Sequence, residues 1–389
     1  MPTQGNDIIR GPYNGQTVYG LGGADSLYWG RADGNATFYG GDTGENYDPD
    51  PYWGNAGGDR VYITGSQPVN VLFTSTENGR ATIGNQSLTF YGVERLHTGA
   101  GNDVIDATNA AIAPAHSGTP VHGVTVYAGA GNDRILGSRV ADFIDGGAGN
   151  DTVRAGAGDD VVQSSTGDDV IYGGAGNENI RWGLGDNVAP GNDRIFGGEG
   201  GEGIGDLLNL WVVNADFTTG ARVTFTSAEA GYATSTMGGV TSRVVFTEFE
   251  NLWTHRANDV VNAANANIGA SNQGIRMNTR WGNDVIVGSR GNDTIEGGEG
   301  RDTLTGGRGN DLISANTEWY NNNAPGDGHV DTLIFRAGDG NDTVLGFDVG
   351  VDILNVGNRS YNAVENNRGT LLSFANGDSI LLSNVFDFI

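Results

Sequence analysis

Two stretches of the chain carry one aliphatic residue every nine positions, set among glycine and polar residues. From residue 127 the sequence reads, in nines, YAGAGNDRI, LGSRVADFI, DGGAGNDTV, RAGAGDDVV, QSSTGDDVI and YGGAGNENI. From residue 278 it reads NTRWGNDVI, VGSRGNDTI, EGGEGRDTL and TGGRGNDLI. The last position of each nine is aliphatic in every unit. That interval suits a strand of three residues with a single inward side chain, such as Ile135, Ile144, Val153, Val162 or Ile171. The Gly-x-Gly-x-Asp part before each strand is a tight turn, with backbone angles that glycine supplies at low cost. One unit is then a turn and a strand, or half a coil, and two units close one coil of 18 residues. The acids follow the same interval. Asp133, Asp151 and Asp169 are expected along one edge of the stack, and Asp142, Asp160 and Glu178 along the other.

A longer repeat overlies the short one. Val93–His97 followed by Asn102–Ala110 recurs as Phe249–Trp253 followed by Asn258–Ala266, at an offset of 156 (250 − 94 and 259 − 103). Each copy follows a stretch of alternating apolar residues, Val69–Tyr91 and Ala221–Phe246, and leads into a nine-residue run. The fold class expected is all-β: duplicated parallel β-roll or β-solenoid modules built from these nine-residue repeats, with β-rich inserts and a β-rich C-terminal region. The divisions are 1–57, an N-terminal cap of imperfect repeats; 58–204, a strand-rich section and the first roll; 205–325, the second copy; and 326–389, where Asp331–Phe335, Thr370–Phe374 and Ser379–Leu382 read as strands off the nine-residue interval.

Composition turns the pattern into chemistry. Glycine makes up 67 of 389 residues, far above the roughly 7 per cent usual in proteins, without the three-residue period of collagen. There are 47 acidic residues against 21 basic and no cysteine. That excludes a general nucleic-acid binder, which needs a basic face, as well as disulfides and thiolate metal sites. Carboxylates ranked a strand spacing apart, about 4.8 Å, call for a cation. Ca²⁺ takes six to eight oxygens from carboxylates and carbonyls, whereas Mg²⁺ demands a tighter octahedron. The candidate metal ligands in the two long runs are Asp133, Asp142, Asp151, Asp160, Asp169, Asp284, Asp293, Asp302 and Asp311. To these are added Asp7, Asp25, Asp103, Asp193, Asp259 and Asp342, for about ten Ca²⁺ ions in all.

These motifs resemble the RTX family, the hemolysin-type calcium-binding repeats, with consensus Gly-Gly-x-Gly-x-Asp-x-U-x, where U is a large aliphatic residue. Asp145–Val153, Glu296–Leu304 and Thr305–Ile313 match it closely. Val140 and the pair Ser164-Ser165 stand where glycine is expected, and Glu178 and Glu202 stand where Asp is expected. The resemblance implies calcium as cofactor, an extracellular or cell-surface location, and export by type I machinery through an uncleaved C-terminal signal. The end of the chain, Val385–Ile389, looks like such a signal. The N-terminus shows neither the basic nor the apolar region of a secretory signal. No run of 18 apolar residues predicts a membrane span.

No catalytic motif stands out. The five histidines form no His-Glu-x-x-His pattern, and there is no Gly-x-Ser-x-Gly elbow. The function expected is a secreted structural or surface protein: a building block of a surface layer, matrix or filament, or an adhesin. Its partners would be calcium, further copies of itself or a cell-surface glycan, with no nucleic acid. The alternative is a secreted polysaccharide-acting enzyme with its site in the strand-rich inserts. Aromatic residues at Tyr47–Trp53, Trp211, Trp253, Trp281 and Trp319-Tyr320 are expected to close the open ends of the rolls, where apolar mass is otherwise scarce.

Overall fold

The computed structural model describes residues 4–41, 58–113, 122–184, 188–198, 200–201, 203–212, 218–269, 272–316, 327–386 and 388. Strands and turns account for their regular structure; among the described residues there is no helix, and so none that could cross a membrane. The chain divides into two units, Met1–Arg181 with Pro190–Asp206, and Trp182–Ala189 with Leu207–Ile389.

In the first unit the nine-residue interval alternates between two parallel sheets. Arg134–Leu136 pairs with Thr152–Ala157, and that strand with Val170–Ala175; in the facing sheet Thr125–Tyr127 pairs with Phe143–Asp145, and that with Val161–Gln163. Most partners in these runs are 18 residues apart, so two units make one coil, as the spacing predicts. The single aliphatic residue of each strand points between the sheets: Ile135, Ile144, Val153, Val162 and Ile171 are all buried. Each such burial stabilises by roughly 1.5–3 kcal/mol, and the stack repeats it on both sides of every coil.

The insert Val69–Tyr91 is a three-stranded antiparallel meander, Asn70–Ser75, Asn78–Ile83 and Gln86–Tyr91. Its outer strands run parallel to the coil strands Val104–Asp106 and Ala36–Tyr39, so it widens the sheet instead of forming a separate lobe. The second unit repeats the device with Arg222–Phe225, Gly231–Met237 and Val240–Thr247, followed by Val260–Asn262.

The C-terminal region is β-rich off the nine-residue interval, as expected. Thr332–Ile334 and Ile353–Asn355 continue the parallel stack beyond Thr303–Thr305, although no nine-residue interval announces them. The stack then changes character. Tyr361–Asn366, Gly369–Phe374 and Ser379–Ser383 form an antiparallel meander whose last strand returns parallel to Asn341–Leu345.

Candidate functional site

Most of the stacked Asp residues immediately precede a strand, whereas Asp193, Asp293 and Asp342 are the second residue of theirs, and each carboxylate turns along the stack. The backbone N–H of Asp133 donates to Oδ1 of Asp151 (2.7 Å), that of Asp151 to Asp169 (2.8 Å), and that of Asp169 to Asp193 (2.7 Å). Asp103 donates likewise to Asp133 (2.6 Å). On the opposite edge Asp142 donates to Asp160 (2.8 Å), and near the N-terminus Asp7 donates to Asp25 (2.7 Å). In the second unit one column runs Asp259, Asp284, Asp302 and the other Asp293, Asp311, Asp342, with bonds of 2.7–2.9 Å. All fifteen candidate acids therefore stand in such columns.

A second ladder runs outside the first in the opposite sense. The residue before the Asp, usually Asn, accepts from the next coil: Asn132 N–H donates to Asn102 Oδ1, Asn150 to Asn132, and Asp168 to Asn150 (2.9–3.0 Å). In the second unit Asn283 donates to Asn258 and Asn310 to Asn292. The Asn-Asp pair thus clips its turn to both neighbours, the Asp toward the preceding coil and the Asn toward the following one.

The inner ladder uses one carboxylate oxygen. The other, Oδ2, is buried without a hydrogen-bond partner in Asp25, Asp133, Asp151, Asp160, Asp302 and Asp311. A buried acceptor left unsatisfied costs about 1–3 kcal/mol, and a buried charge far more. Burial accordingly pushes the carboxyls of Asp133 and Asp151 up to about 7, and those of Asp169, Asp302 and Asp311 up to about 8. Repulsion from the neighbouring Asp of the column adds to the rise in each case. A divalent ion fits this donor set: hard, anionic oxygens facing inward with no competing protein cation. Among the described residues no three His, Asp or Glu side chains gather about one point. An ion at these turns would therefore complete its shell with backbone carbonyls and water, as Ca²⁺ readily does.

In five candidates Oδ2 also accepts a hydrogen bond: Asp142, Asp169, Asp193, Asp259 and Asp293. Asp142 accepts from Ser138, N–H to Oδ2 at 2.5 Å and Oγ to Oδ1 at 2.7 Å; Asp293 accepts from Ser289 in the same way. Asp259 accepts from Ala221, the residue before the strand Arg222–Phe225 (N–H to Oδ1, 2.5 Å), and from Thr254 Oγ1 (to Oδ2, 2.5 Å). Both oxygens of these carboxylates accept hydrogen bonds within the protein. Ser138 thereby compensates for Val140. Ser165 takes a left-handed φ of 48°, and Ser164 Oγ donates to Asp169 and Asp193 (3.1 and 2.8 Å), so the serine pair also preserves its turn. Glu178 keeps its place in the column, its N–H donating to Asp206 Oδ1 (2.9 Å). Glu202 and His116 lie outside the described residues, as do Tyr47–Trp53, Trp319 and Tyr320.

Several column members escape the nine-residue interval. Asp206, which falls off it, belongs to the column. So do Asp59, Glu94, Asp331 and Asp352: Asp25 N–H donates to Asp59, Asp59 N–H to Glu94, Asp302 to Asp331 and Asp331 to Asp352. Their coils contain inserts, so the separations are 34, 35, 29 and 21 residues. The signal that marks them is local: an acid two residues before an inward aliphatic, as in Asp59-Arg60-Val61 and Asp331-Thr332-Leu333. Asp206→Ala is therefore expected to lower calcium uptake by the full chain in a calorimetric titration, as Asp151→Ala does. Asp159→Ala, on the exposed outer ladder, should leave it unchanged.

Glu229 and Glu250 line one cavity with Gln273, Arg276, Asn292 and Thr294, but its volume is about 120 Å³. That is below the roughly 300 Å³ at which ligand pockets begin. In the first unit the equivalent Glu77 pairs with His122 (3.3 Å). Trp253 and Trp281 do not cap roll ends: they lie half-buried on the outer side of interior coils.

Five segments, 89–110, 127–162, 154–189, 190–201 and 279–313, match a family model described as the RTX calcium-binding nonapeptide repeat. They contain eleven of the fifteen candidate acids; Asp7, Asp25, Asp259 and Asp342 lie outside them. No curated protein is a significant match. Among solved structures, the extracellular lipase LipA from Serratia marcescens is similar at 17% identity and a TM-score of 0.21, over 74% of this chain and 44% of the lipase. The chain spans less than half of that lipase's length, and a likeness at that score carries no argument about fold or activity.

Proposed function

Because the chain carries RTX calcium-binding nonapeptide repeats, we propose that it is a secreted calcium-binding structural protein of the cell surface, of the layer, matrix, filament or adhesin type, which folds on meeting extracellular Ca²⁺. The observation that carries this reading is the column of buried carboxylates whose second oxygen has no partner within the protein. The residues that would hold the ions are led by Asp133, Asp151, Asp160, Asp302 and Asp311, with carbonyls of the glycine turns beside them. The ion supplies positive charge to an edge that otherwise stays folded only by protonation.

Calcium availability then sets where folding occurs. With little free calcium, 47 acidic residues against 21 basic ones repel one another and favour an extended chain, suited to type I export. Millimolar calcium outside the cell suffices even for weak extracellular sites, and binding free energy becomes folding free energy. Electron microscopy of the purified chain with and without calcium tests the structural role. Ordered sheets or filaments that appear only with calcium are the expected result; dispersed monomers in both conditions would refute a building-block function.

A further inference from the structure

The outer side of the second unit carries an aromatic and arginine cluster that the calcium turns do not explain. Trp253 ends the strand Asn251–Trp253, in register with Asn209 on one side and Asn278 on the other. Asn209 and Asn278 are buried, at 4% and 9% exposure, so the accessible part of the cluster is its rings and guanidinium groups. The Arg280 guanidinium lies 5.1 Å from the Trp253 ring and 4.9 Å from the Trp281 ring, and that of Arg256 lies 5.2 Å from Trp281. Arg256 is exposed, and among the described residues it forms no ion pair, although acids outnumber bases in this chain by 47 to 21. Arg256, Ala257, Trp281 and Gly282 line an open depression of about 390 Å³, within the range of ligand pockets, roughly 300–1,000 Å³.

Two chemical demands converge here. Indole surface favours the flat, partly apolar face of a ring. The Arg256 guanidinium, without a carboxylate partner, favours a planar anion, which it can grip through two parallel hydrogen bonds. A sugar ring bearing a carboxylate meets both, whereas a neutral sugar leaves the arginine unanswered and an acidic peptide lays no ring on the indole. We propose that the face formed by Trp253, Arg280, Trp281 and Arg256 binds an acidic polysaccharide of the uronate class. This rests on the reading of the chain as an extracellular surface protein and names the glycan it would hold.

The test uses the full chain in millimolar calcium, titrated calorimetrically with oligogalacturonate, neutral dextran and polyglutamate. Oligogalacturonate should bind and the other two should not. Arg256→Ala, at an exposed position that leaves the core untouched, should weaken binding roughly tenfold, the scale of one lost charge-assisted contact. Arg256→Lys should recover only part of it, and Trp281→Ala should weaken it further. Oligogalacturonate binding that is indifferent to Arg256→Ala would mean calcium bridging between two polyanions and would overturn the proposal. Equal binding of dextran would overturn the acidic assignment, and equal binding of polyglutamate the sugar assignment. Circular dichroism in calcium reports folding separately, so a failure of glycan binding is distinct from a failure of calcium-dependent folding.

Discussion

In excess EGTA at pH 8 the full chain is expected to lose most of its β-sheet circular dichroism, and in the same chelator at pH 5 to retain more of it. The sign follows from the columns. Asp133 and Asp151 titrate in the folded chain at about 7, and Asp169, Asp302, Asp311 and Asp331 at about 8, against an ordinary value of 3.8. A folded-state value raised above the unfolded one means that the folded chain binds the proton more tightly. The stability it contributes is complete below the ordinary value and is lost as pH rises through 7 to 8. Several buried carboxyls losing their protons over one window leave ranked charges in a dry edge, and the metal-free fold gives way. Calcium reverses the slope. It binds the ionised form, so its affinity rises over the same window and replaces the lost proton with a stronger cation. Thermal melts at pH 5 and pH 8, each in EGTA and in millimolar calcium, should cross: the gain from calcium is small at pH 5 and large at pH 8. A metal-free chain more stable at pH 8 than at pH 5 would mean that the carboxylates are not buried in ranks.

The coil was legible because its two periods are both short and both physical. An interval of nine sets a strand with one inward aliphatic, and two intervals bring Asp133 over Asp151 with no residue to spare. The duplicated inserts were legible as alternating strands, but not their placement inside the sheets, because alternation states which face is apolar and not which edge is paired. Asp206, Asp331 and Asp352 were hidden because the interval counts residues along the chain, whereas the column counts coils. A coil may lengthen by several residues at one corner without moving the next Asp off its edge. The internal hydrogen bonds to Asp142, Asp259 and Asp293 were hidden for another reason. They depend on Ser138, Thr254 and Ser289, four or five residues upstream, where a hydroxyl reads as an ordinary loop residue until the turn brings it onto the carboxylate.

Gly149→Ala is expected to be among the most damaging single substitutions in the chain, although it adds one methyl group at a turn. Gly149 has φ +126°, a conformation closed to L side chains, and a Cβ there would stand 1.9 Å from the carbonyl oxygen of Gly131 in the preceding coil. Neither obstacle can relax alone. Changing φ breaks the bond from Gly149 N–H to the Thr166 carbonyl (2.8 Å), and moving the coils apart lengthens the bond from Asp133 N–H to Asp151. Backbone strain of this kind costs about 1–3 kcal/mol, and overpacking a close contact about as much again. At a few degrees per kcal/mol for a domain of this size, the melting temperature in calcium should fall on the order of 10 °C. Gly84→Ala is the matched control: its φ is +57° and a Cβ there would meet nothing within 4 Å, so about 1 kcal/mol is expected. The two glycines differ in what stands above them, a neighbouring turn or open water. Equal shifts in the two variants would show that the Asp turns do not touch one another, and without that contact neither the carboxylate columns nor an ion between them could exist.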